Sequence, residues 1–110
     1  MDNLKEFCII YVSTNTFENA NHISKILLTE RLAACCSIIP NVSSMYVYKD
    51  NITTSNEYLI MIKTRNDKFQ LIENRIYELH QYDVPEIIST KIIEGNESYL
   101  QWMNDVLDNE

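Results

Sequence analysis

The chain has 110 residues, of which 45% are apolar, and carries a formal charge of -7 at neutral pH. This length suits one domain, over residues 1–110, and a composition with one Gly and two Pro excludes a linker, a collagen-like repeat or a disordered tail. The excess of acidic side chains repels a phosphate backbone, so we expect no nucleic-acid partner.

The N-terminal segment predicts neither secretion nor membrane insertion. Its apolar run, residues 7–12, is too short to span a bilayer. Asp2 and Glu6 also remove the positive flank that a secretory signal needs. We therefore expect a cytoplasmic protein with no membrane partner.

The same apolar run is the first predicted strand. Residues 7–12 are rich in β-branched and aromatic side chains, which is typical of a central strand covered on both faces. Asn15, followed three residues later by Glu18, resembles a capping box. Apolar residues then recur at helical spacing and predict a first helix over about residues 16–33.

A long β-hairpin is predicted in the middle of the chain. Residues 42–49 mix β-branched and aromatic side chains, and residues 57–64 form a second apolar run. Asp50 and Asn51 lie between the first run and Ile52, and two turn-prone residues in that position indicate a hairpin turn. With a single Gly available, we expect Asn and Asp to supply the turns that need positive φ.

Asn66 or Asp67 is predicted to cap a second helix that ends near His80. Pro85 lacks a backbone donor and biases Val84 toward extended backbone, so an extended segment follows this helix. The apolar stripe of the helix consists of Phe69, Ile72, Ile76 and Leu79.

A fourth strand and a closing helix complete the chain. The strand is predicted from four isoleucines, Ile87, Ile88, Ile92 and Ile93. Gly95 breaks it, and Asn96 is placed to cap the helix. One side of that helix is apolar through Tyr99, Trp102, Met103 and Val106.

The predicted order is βαββαβ followed by a C-terminal helix. This order is typical of the α+β, ferredoxin-like fold, an antiparallel four-stranded sheet with its two main helices on one face. The other face has no predicted helix to cover it, although its strands are apolar almost throughout. Since large apolar faces seldom contact water, we predict a homo-oligomer in which the long hairpin reaches a neighbour.

The three cysteines are predicted to be reduced thiols that pack as small hydrophobic side chains. In the ferredoxin-like strand order Cys8 and Cys35 lie about 10 Å apart, which exceeds disulfide reach. Cys35 follows a helix C-terminus, where a thiolate is disfavoured. Cys36 points to the opposite face of its strand from Cys35, so the two cannot bind one ion together.

Short fragments in a fixed order run through these elements. They are Arg31-Leu32-Ala33-Ala34-Cys35, Ser44-Met45-Tyr46, Tyr48, Glu57, Lys63-Thr64, His80-Gln81-Tyr82-Asp83-Val84-Pro85-Glu86 and Tyr99-Leu100-Gln101-Trp102. From about Cys8 to Leu107 the chain resembles the CutA divalent-cation-tolerance family. The resemblance implies a homotrimer of ferredoxin-like subunits, packed about a three-fold axis, that acts in tolerance of divalent ions such as copper.

The resemblance also implies a binding cleft between subunits, to which Glu57, Lys63, Tyr82 and Glu86 contribute. Such a set could bind a small anionic molecule or transfer a proton. The alternative, which we favour, is an interfacial network in which Lys63 pairs with Glu57 or Glu86 and the tyrosine hydroxyl finds a partner. No nucleophile and no catalytic constellation is evident, so we predict no enzyme.

His80 is the candidate metal ligand, because a neutral imidazole suits a divalent ion such as Cu(II). The alternative, which we again favour, is a cationic cap on the end of the second helix. Some relatives have a cysteine linked with copper where this chain has Val12, so we expect only weak copper binding. Ser13 and Thr14 could offer hydroxyls to an anion, but their loop lacks the glycine of a phosphate-binding loop.

Three functions remain open at this point. The first is divalent metal tolerance with weak metal binding. The second is a signalling module that binds a small ligand in the clefts, as in the PII-type proteins, and the third is a stable trimeric interaction scaffold. The first is preferred, because only an analogy of fold supports the second.

Overall fold

In the computed structural model, residues 6–109 are described and form four strands and three helices. The elements are β1 (Phe7–Thr14), α1 (Phe17–Thr29), β2 (Cys35–Tyr48), β3 (Asn51–Arg65), α2 (Phe69–Leu79) after a 3-10 turn (Asn66–Lys68), β4 (Ile88–Lys91) and α3 (Glu97–Asp108). This order confirms the predicted α+β arrangement of βαββαβ with an added C-terminal helix. None of these helices is long and apolar enough to cross a bilayer.

The four strands form one antiparallel sheet in the order β2-β3-β1-β4. Cys8 on β1 lies opposite Thr64, and Cys35 on β2 lies opposite Lys63, so β3 separates the two cysteines as predicted. All three cysteines are free thiols. The predicted strand order is confirmed. Cys8 is buried as predicted, whereas Cys35 and Cys36 are only partly buried.

The main core lies between the sheet and the two helices α1 and α2. Alternate residues of β1 and β3 point toward these helices, and the largest fully buried side chains are Ile10, Val12, Ile23, Leu27, Ile60, Ile62, Ile72 and Ile76. Full burial of each such side chain stabilises the fold by roughly 2 kcal/mol relative to exposure. Because β-branched residues suit strands, the isoleucines of β1 and β3 favour both the strand and the core.

The first helix starts and ends differently from the prediction. Thr16, and not the predicted capping box at Asn15, caps it by accepting a hydrogen bond from the Asn19 amide at 3.0 Å. The helix ends at Thr29 and not near residue 33, because Arg31 adopts a left-handed φ of 60°. The chain then turns inward toward β2.

The hairpin turn lies one residue earlier than predicted. Tyr48 pairs with Asn51, so the two turn residues are Lys49 and Asp50, with φ of 51° and 66°. Positive φ at both positions gives the turn a twist that matches the flanking strands. Asn41, with φ 61°, is the one Asn among the described residues with positive φ, and it lies at the irregularity of β2.

The start of α2 also corrects the prediction, whereas its end confirms it. Asn66 donates to the Glu6 carboxylate, and Asp67 accepts from Arg65, so neither side chain caps the helix. Lys68 precedes the helix without a side-chain cap. The backbone becomes extended at His80, as the downstream proline predicted.

The last strand is shorter than predicted, and α3 buries a different face. The strand spans Ile88–Lys91, while Ile93 is exposed. In α3 the fully buried positions are Met103 and Leu107, while Tyr99 and Trp102 are exposed. The face predicted for this helix is therefore only partly right.

The closing helix covers one end of the second sheet face, which we had predicted to have no helix. Met103 and Leu107 form a small core with Ala34, and Phe7 packs against it from the face opposite the main core. Arg65, almost fully buried, holds the helix through a 2.9 Å hydrogen bond to Asn104 and an ion pair with Asp108. The rest of this face and the hairpin beyond it remain uncovered in the subunit.

Candidate functional site

A cleft of about 900 Å³ opens between the hairpin and the loop that joins α2 to β4. We call it the hairpin cleft. It is lined by Ser13 of β1, by Ser44, Met45, Tyr46, Val47 and Tyr48 of β2, by Glu57 of β3, and by Tyr82, Asp83, Val84 and Glu86 of the loop. Three of the four residues predicted for a binding cleft, Glu57, Tyr82 and Glu86, are therefore brought together in one subunit.

Glu57 is the most buried carboxylate of the cleft, with 6% of its surface exposed. Tyr82 Oη donates to its Oε2 at 2.8 Å. Burial, followed by this contact with Glu57, raises the pKa of the Tyr82 hydroxyl above its usual range, so the phenol keeps its proton. The second oxygen, Oε1, has no hydrogen-bond partner among residues 6–109 and is not a fully buried atom, so it is open to solvent in the cleft.

His80 lies behind the cleft and holds the loop in place. The Tyr82 amide donates to Nδ1 at 2.9 Å, and Nε2 lies 2.8 Å from the Ser13 carbonyl oxygen. Because an amide can only donate and a carbonyl can only accept, the ring is neutral with its proton on Nε2. Both nitrogens are occupied, so a metal ion would have to displace one of these hydrogen bonds.

The His80 ring does not cap the end of α2, which was the alternative to a metal ligand. Its backbone N–H bonds the Ile76 carbonyl and closes α2, but its ring bonds β1 and no carbonyl of the helix. The imidazole thus joins the α2–β4 loop to β1. A contact across 67 residues of sequence has no local signal, and this explains why sequence reasoning missed it.

Ser13 and Thr14 use their hydroxyls within the protein. Ser13 Oγ donates to the Glu86 carboxylate at 3.0 Å, and Thr14 Oγ1 donates to Asn19 Oδ1 at 2.6 Å. Asn19 in turn donates to the Leu79 carbonyl at the end of α2. These bonds fix the end of β1 against both helices and leave neither hydroxyl proton for an anion.

Lys63 is the one predicted cleft residue that lies elsewhere. It is six residues along β3 from Glu57, which corresponds to roughly 20 Å, and its Nζ lies 5.7 Å from the centre of the Tyr99 ring. Within residues 6–109 no ion pair joins it to Glu57 or Glu86. The predicted network through Lys63 is therefore not formed inside the subunit.

The charge of the hairpin cleft is negative. Glu57, Asp83 and Glu86 line it, and no Lys or Arg is among its described lining residues. Asp83 belongs to a fragment that the sequence singled out, but it was not assigned to the site. Three carboxylates in one cleft lower the local potential and attract cations.

The residues available to a metal ion do not form a closed site. Burial raises the pKa of Cys8 to about 11 and that of Cys36 to about 12, which keeps both thiols protonated and poor as ligands. Val12 is fully buried in the main core. No group of three or more His, Cys, Asp or Glu side chains within residues 6–109 is arranged to hold a metal ion.

Comparison with known proteins gives one consistent family. The model of the CutA1 divalent ion tolerance protein family matches residues 8–106. A divalent-cation tolerance protein CutA of Thermus thermophilus is 36% identical over 97 residues, which cover 88% of this chain and 94% of that protein. A CutA homolog of Xenopus laevis is also 36% identical over 97 residues, but the match spans 88% of this chain and 64% of that protein.

The fold agrees with the same family. The crystal structure of the divalent ion tolerance protein CutA1 from Ehrlichia chaffeensis has 39% sequence identity and a TM-score of 0.89, over 94% of this chain and 97% of that chain.

Proposed function

Because this chain belongs to the CutA1 divalent ion tolerance protein family, we propose that it acts in the tolerance of divalent metal ions as a homotrimer that binds them weakly at the hairpin cleft. The observation that carries the proposal is the half-satisfied carboxylate of Glu57, buried at the base of an acidic cleft. The family is named for ion tolerance and not for a reaction. A cytoplasmic location stays a prediction.

The trimer is supported by the apolar surface of the hairpin. Met45, Val47 and Ile52 are 71%, 73% and 76% exposed near its tip. Ile39 and Ile88 are also exposed on the part of the sheet that α3 leaves uncovered. An apolar surface of this extent favours contact with further copies of the chain, because burial removes it from water.

Weak ion binding is supported by the kind of ligands in the cleft. Oε1 of Glu57 and the carboxylates of Asp83 and Glu86 are oxygen ligands, which suit divalent cations. The three are not arranged as a preformed metal site, and this favours weak binding. Cu(II) gains most from an imidazole nitrogen, but His80 can supply one only by releasing the Tyr82 amide or the Ser13 carbonyl. Breaking such a bond costs about 1 kcal/mol, and this favours weak over tight copper binding.

Calorimetric titration of Cu(II), Zn(II) and Mg(II) tests this function. We expect weak binding that falls in Glu57→Gln and His80→Ala and is unchanged in a Cys35→Ser/Cys36→Ser double variant. Glu94→Gln, which removes one exposed carboxylate outside the cleft, is the matched control. Tight binding that survives loss of Glu57 and His80 but disappears with the two thiols would contradict the proposal.

A further inference from the structure

We propose that the C-terminal helix α3 is a lid that opens and closes on the folded subunit, and that the buried guanidinium of Arg65 is its latch. In the closed state, which the structure shows, α3 covers one end of the second sheet face. In the open state that end of the face contacts water. The inference goes beyond the proposed function and does not depend on it, since no residue of the hairpin cleft takes part.

The first step of the argument is the narrow face by which α3 is anchored. Two apolar side chains, Met103 and Leu107, enter the small core on the second sheet face, which is separate from the main core. Two polar side chains, Asn104 and Asp108, lie one position further along the helix and bind Arg65. Both pairs are spaced by four residues, so the anchored positions form one stripe of the helix. The helix can therefore leave the sheet without disturbing the core under α1 and α2.

The second step is the construction of the latch. Arg65 is 3% exposed, and its Nη2 and Nη1 lie 2.9 Å from Asp108 Oδ1 and from Asn104 Oδ1. Its Nε and Nη2 also donate to the two carboxylate oxygens of Asp67 at 3.1 and 3.2 Å. Asp67 belongs to the 3-10 turn after β3 and not to α3. When α3 leaves, the guanidinium keeps this bidentate partner and gains water, so the half of the latch on the sheet stays in place for closure.

The third step is the tether between β4 and α3. The Ile92 N–H donates to the Phe7 carbonyl at 2.9 Å and is the last backbone bond of the β4 end to β1. Among residues 6–109, no backbone hydrogen bond joins residues 93–95 to another element, and the Ile93 side chain is exposed. The tether therefore lets α3 move while β4 stays paired with β1.

Opening of the lid changes the apolar surface of the subunit. Phe7 and Ala34 pack against α3 in the closed state and lose that cover in the open state. They then join Ile39 and Ile88, which are already exposed on the same sheet face. Since large apolar faces favour association, the latch controls how much of this face is available to a further apolar surface.

Native-state hydrogen exchange, followed by NMR on the full chain at a series of low denaturant concentrations, tests the lid. We expect the amides of α3 to exchange through an opening that is more frequent than global unfolding and depends less on denaturant, because it exposes less surface. The amides of β1 and β3 should exchange only by global unfolding. The same frequency and denaturant dependence in α3 and β1 would overturn the inference, and this includes the case in which a neighbouring copy holds the helix shut.

Two substitutions in α3 test the latch. Asp108→Ala removes the carboxylate that binds Arg65. Asp105→Ala is the matched control, because it removes a carboxylate from the exposed side of the same helix, where Asp105 accepts from Gln101 at 2.9 Å. Since a hydrogen bond between charged groups is worth about a tenfold change in an equilibrium, the α3 amides should exchange about tenfold faster in Asp108→Ala than in Asp105→Ala. Equal rates in the two variants would show that Arg65 is not the latch.

A substitution in the main core separates a lid from an ordinary structural contact. Ile72→Val in α2 removes one buried methylene group and should make the β1 amides exchange severalfold faster, because it destabilises the folded state against global unfolding. The main core stays intact when α3 opens alone, so the α3 amides should keep their wild-type rates in this variant. Acceleration of α3 by the same factor as β1 would show that α3 opens only with the whole subunit and would overturn the inference.

Discussion

Tyr82 donates its hydroxyl proton to the carboxylate of Glu57 at 2.8 Å, across the base of the hairpin cleft. The bond joins the α2–β4 loop to β3, two segments that are 25 residues apart in sequence. It satisfies one oxygen of the carboxylate and leaves the other open to the cleft. The stability of the subunit and the proposed ion binding therefore depend on the same side chain.

Tyr82→Phe should destabilise the protein. The ring remains, but Glu57 Oε2 loses its donor while it stays buried, and an unsatisfied buried acceptor costs about 1–3 kcal/mol. Chemical denaturation measures the loss in the free energy of unfolding. The matched control is Tyr77→Phe, which removes a hydroxyl from an exposed tyrosine of α2; equal stability of the two variants would contradict the role given to the bond.

His80→Ala should loosen the loop over the cleft. The Tyr82 amide then loses its acceptor, and net loss of one hydrogen bond of roughly 1 kcal/mol corresponds to about fivefold to tenfold faster exchange of that amide. Hydrogen exchange followed by NMR measures this rate. His22→Ala, at an exposed position of α1, serves as the control, and an unchanged rate in His80→Ala would show that the ring does not position the loop.

The part of the site that sequence reasoning recovered rests on local signals and on the family resemblance. Pro85 required α2 to end near His80, and the resemblance grouped Glu57, Tyr82 and Glu86, which the structure does bring together. Lys63 was grouped with them, although six residues of extended strand separate it from Glu57.

The remainder depends on contacts between distant segments. No local pattern places the His80 ring on the Ser13 carbonyl. The end of α1 was missed because Leu32 and Ala33 continue an apolar pattern while Arg31 turns the backbone. The sequence predicted no helix on the second sheet face, although α3 covers one end of it. Buried Arg65 anchors α3 through Asn104, and the apolar periodicity of the helix does not reveal this contact.

Buried thiols should make stability fall at alkaline pH. Burial raises the pKa of Cys8 from its ordinary value of 9.0 to about 11. Since the folded state holds this proton more tightly than the unfolded state does, the stabilisation is complete below about pH 9 and is lost as pH rises toward 11. The slope for this thiol is at most about 1.4 kcal/mol per pH unit. Denaturant titrations from about pH 9 to about pH 11 measure this loss, and Cys8→Ala should flatten the profile. An identical profile in the variant would contradict the assignment.

The apolar hairpin should hold three subunits together. Light scattering is expected to give about three times the 12.9 kDa of the chain. Ile52→Glu places a charge on the most exposed isoleucine of the hairpin and should weaken the assembly. A wild-type mass of a single chain at micromolar concentration would remove the support for the trimer.

The central claim is that cations bind at Glu57, and paramagnetic broadening by Mn(II) tests it most directly. At substoichiometric Mn(II), NMR signals of Glu57, Tyr82 and Glu86 should broaden first, and Glu57→Gln should abolish that preference because it removes the charge that holds the ion. Broadening centred on Cys35, or spread evenly over the exposed carboxylates of α3 while the cleft signals stay sharp, would contradict the account.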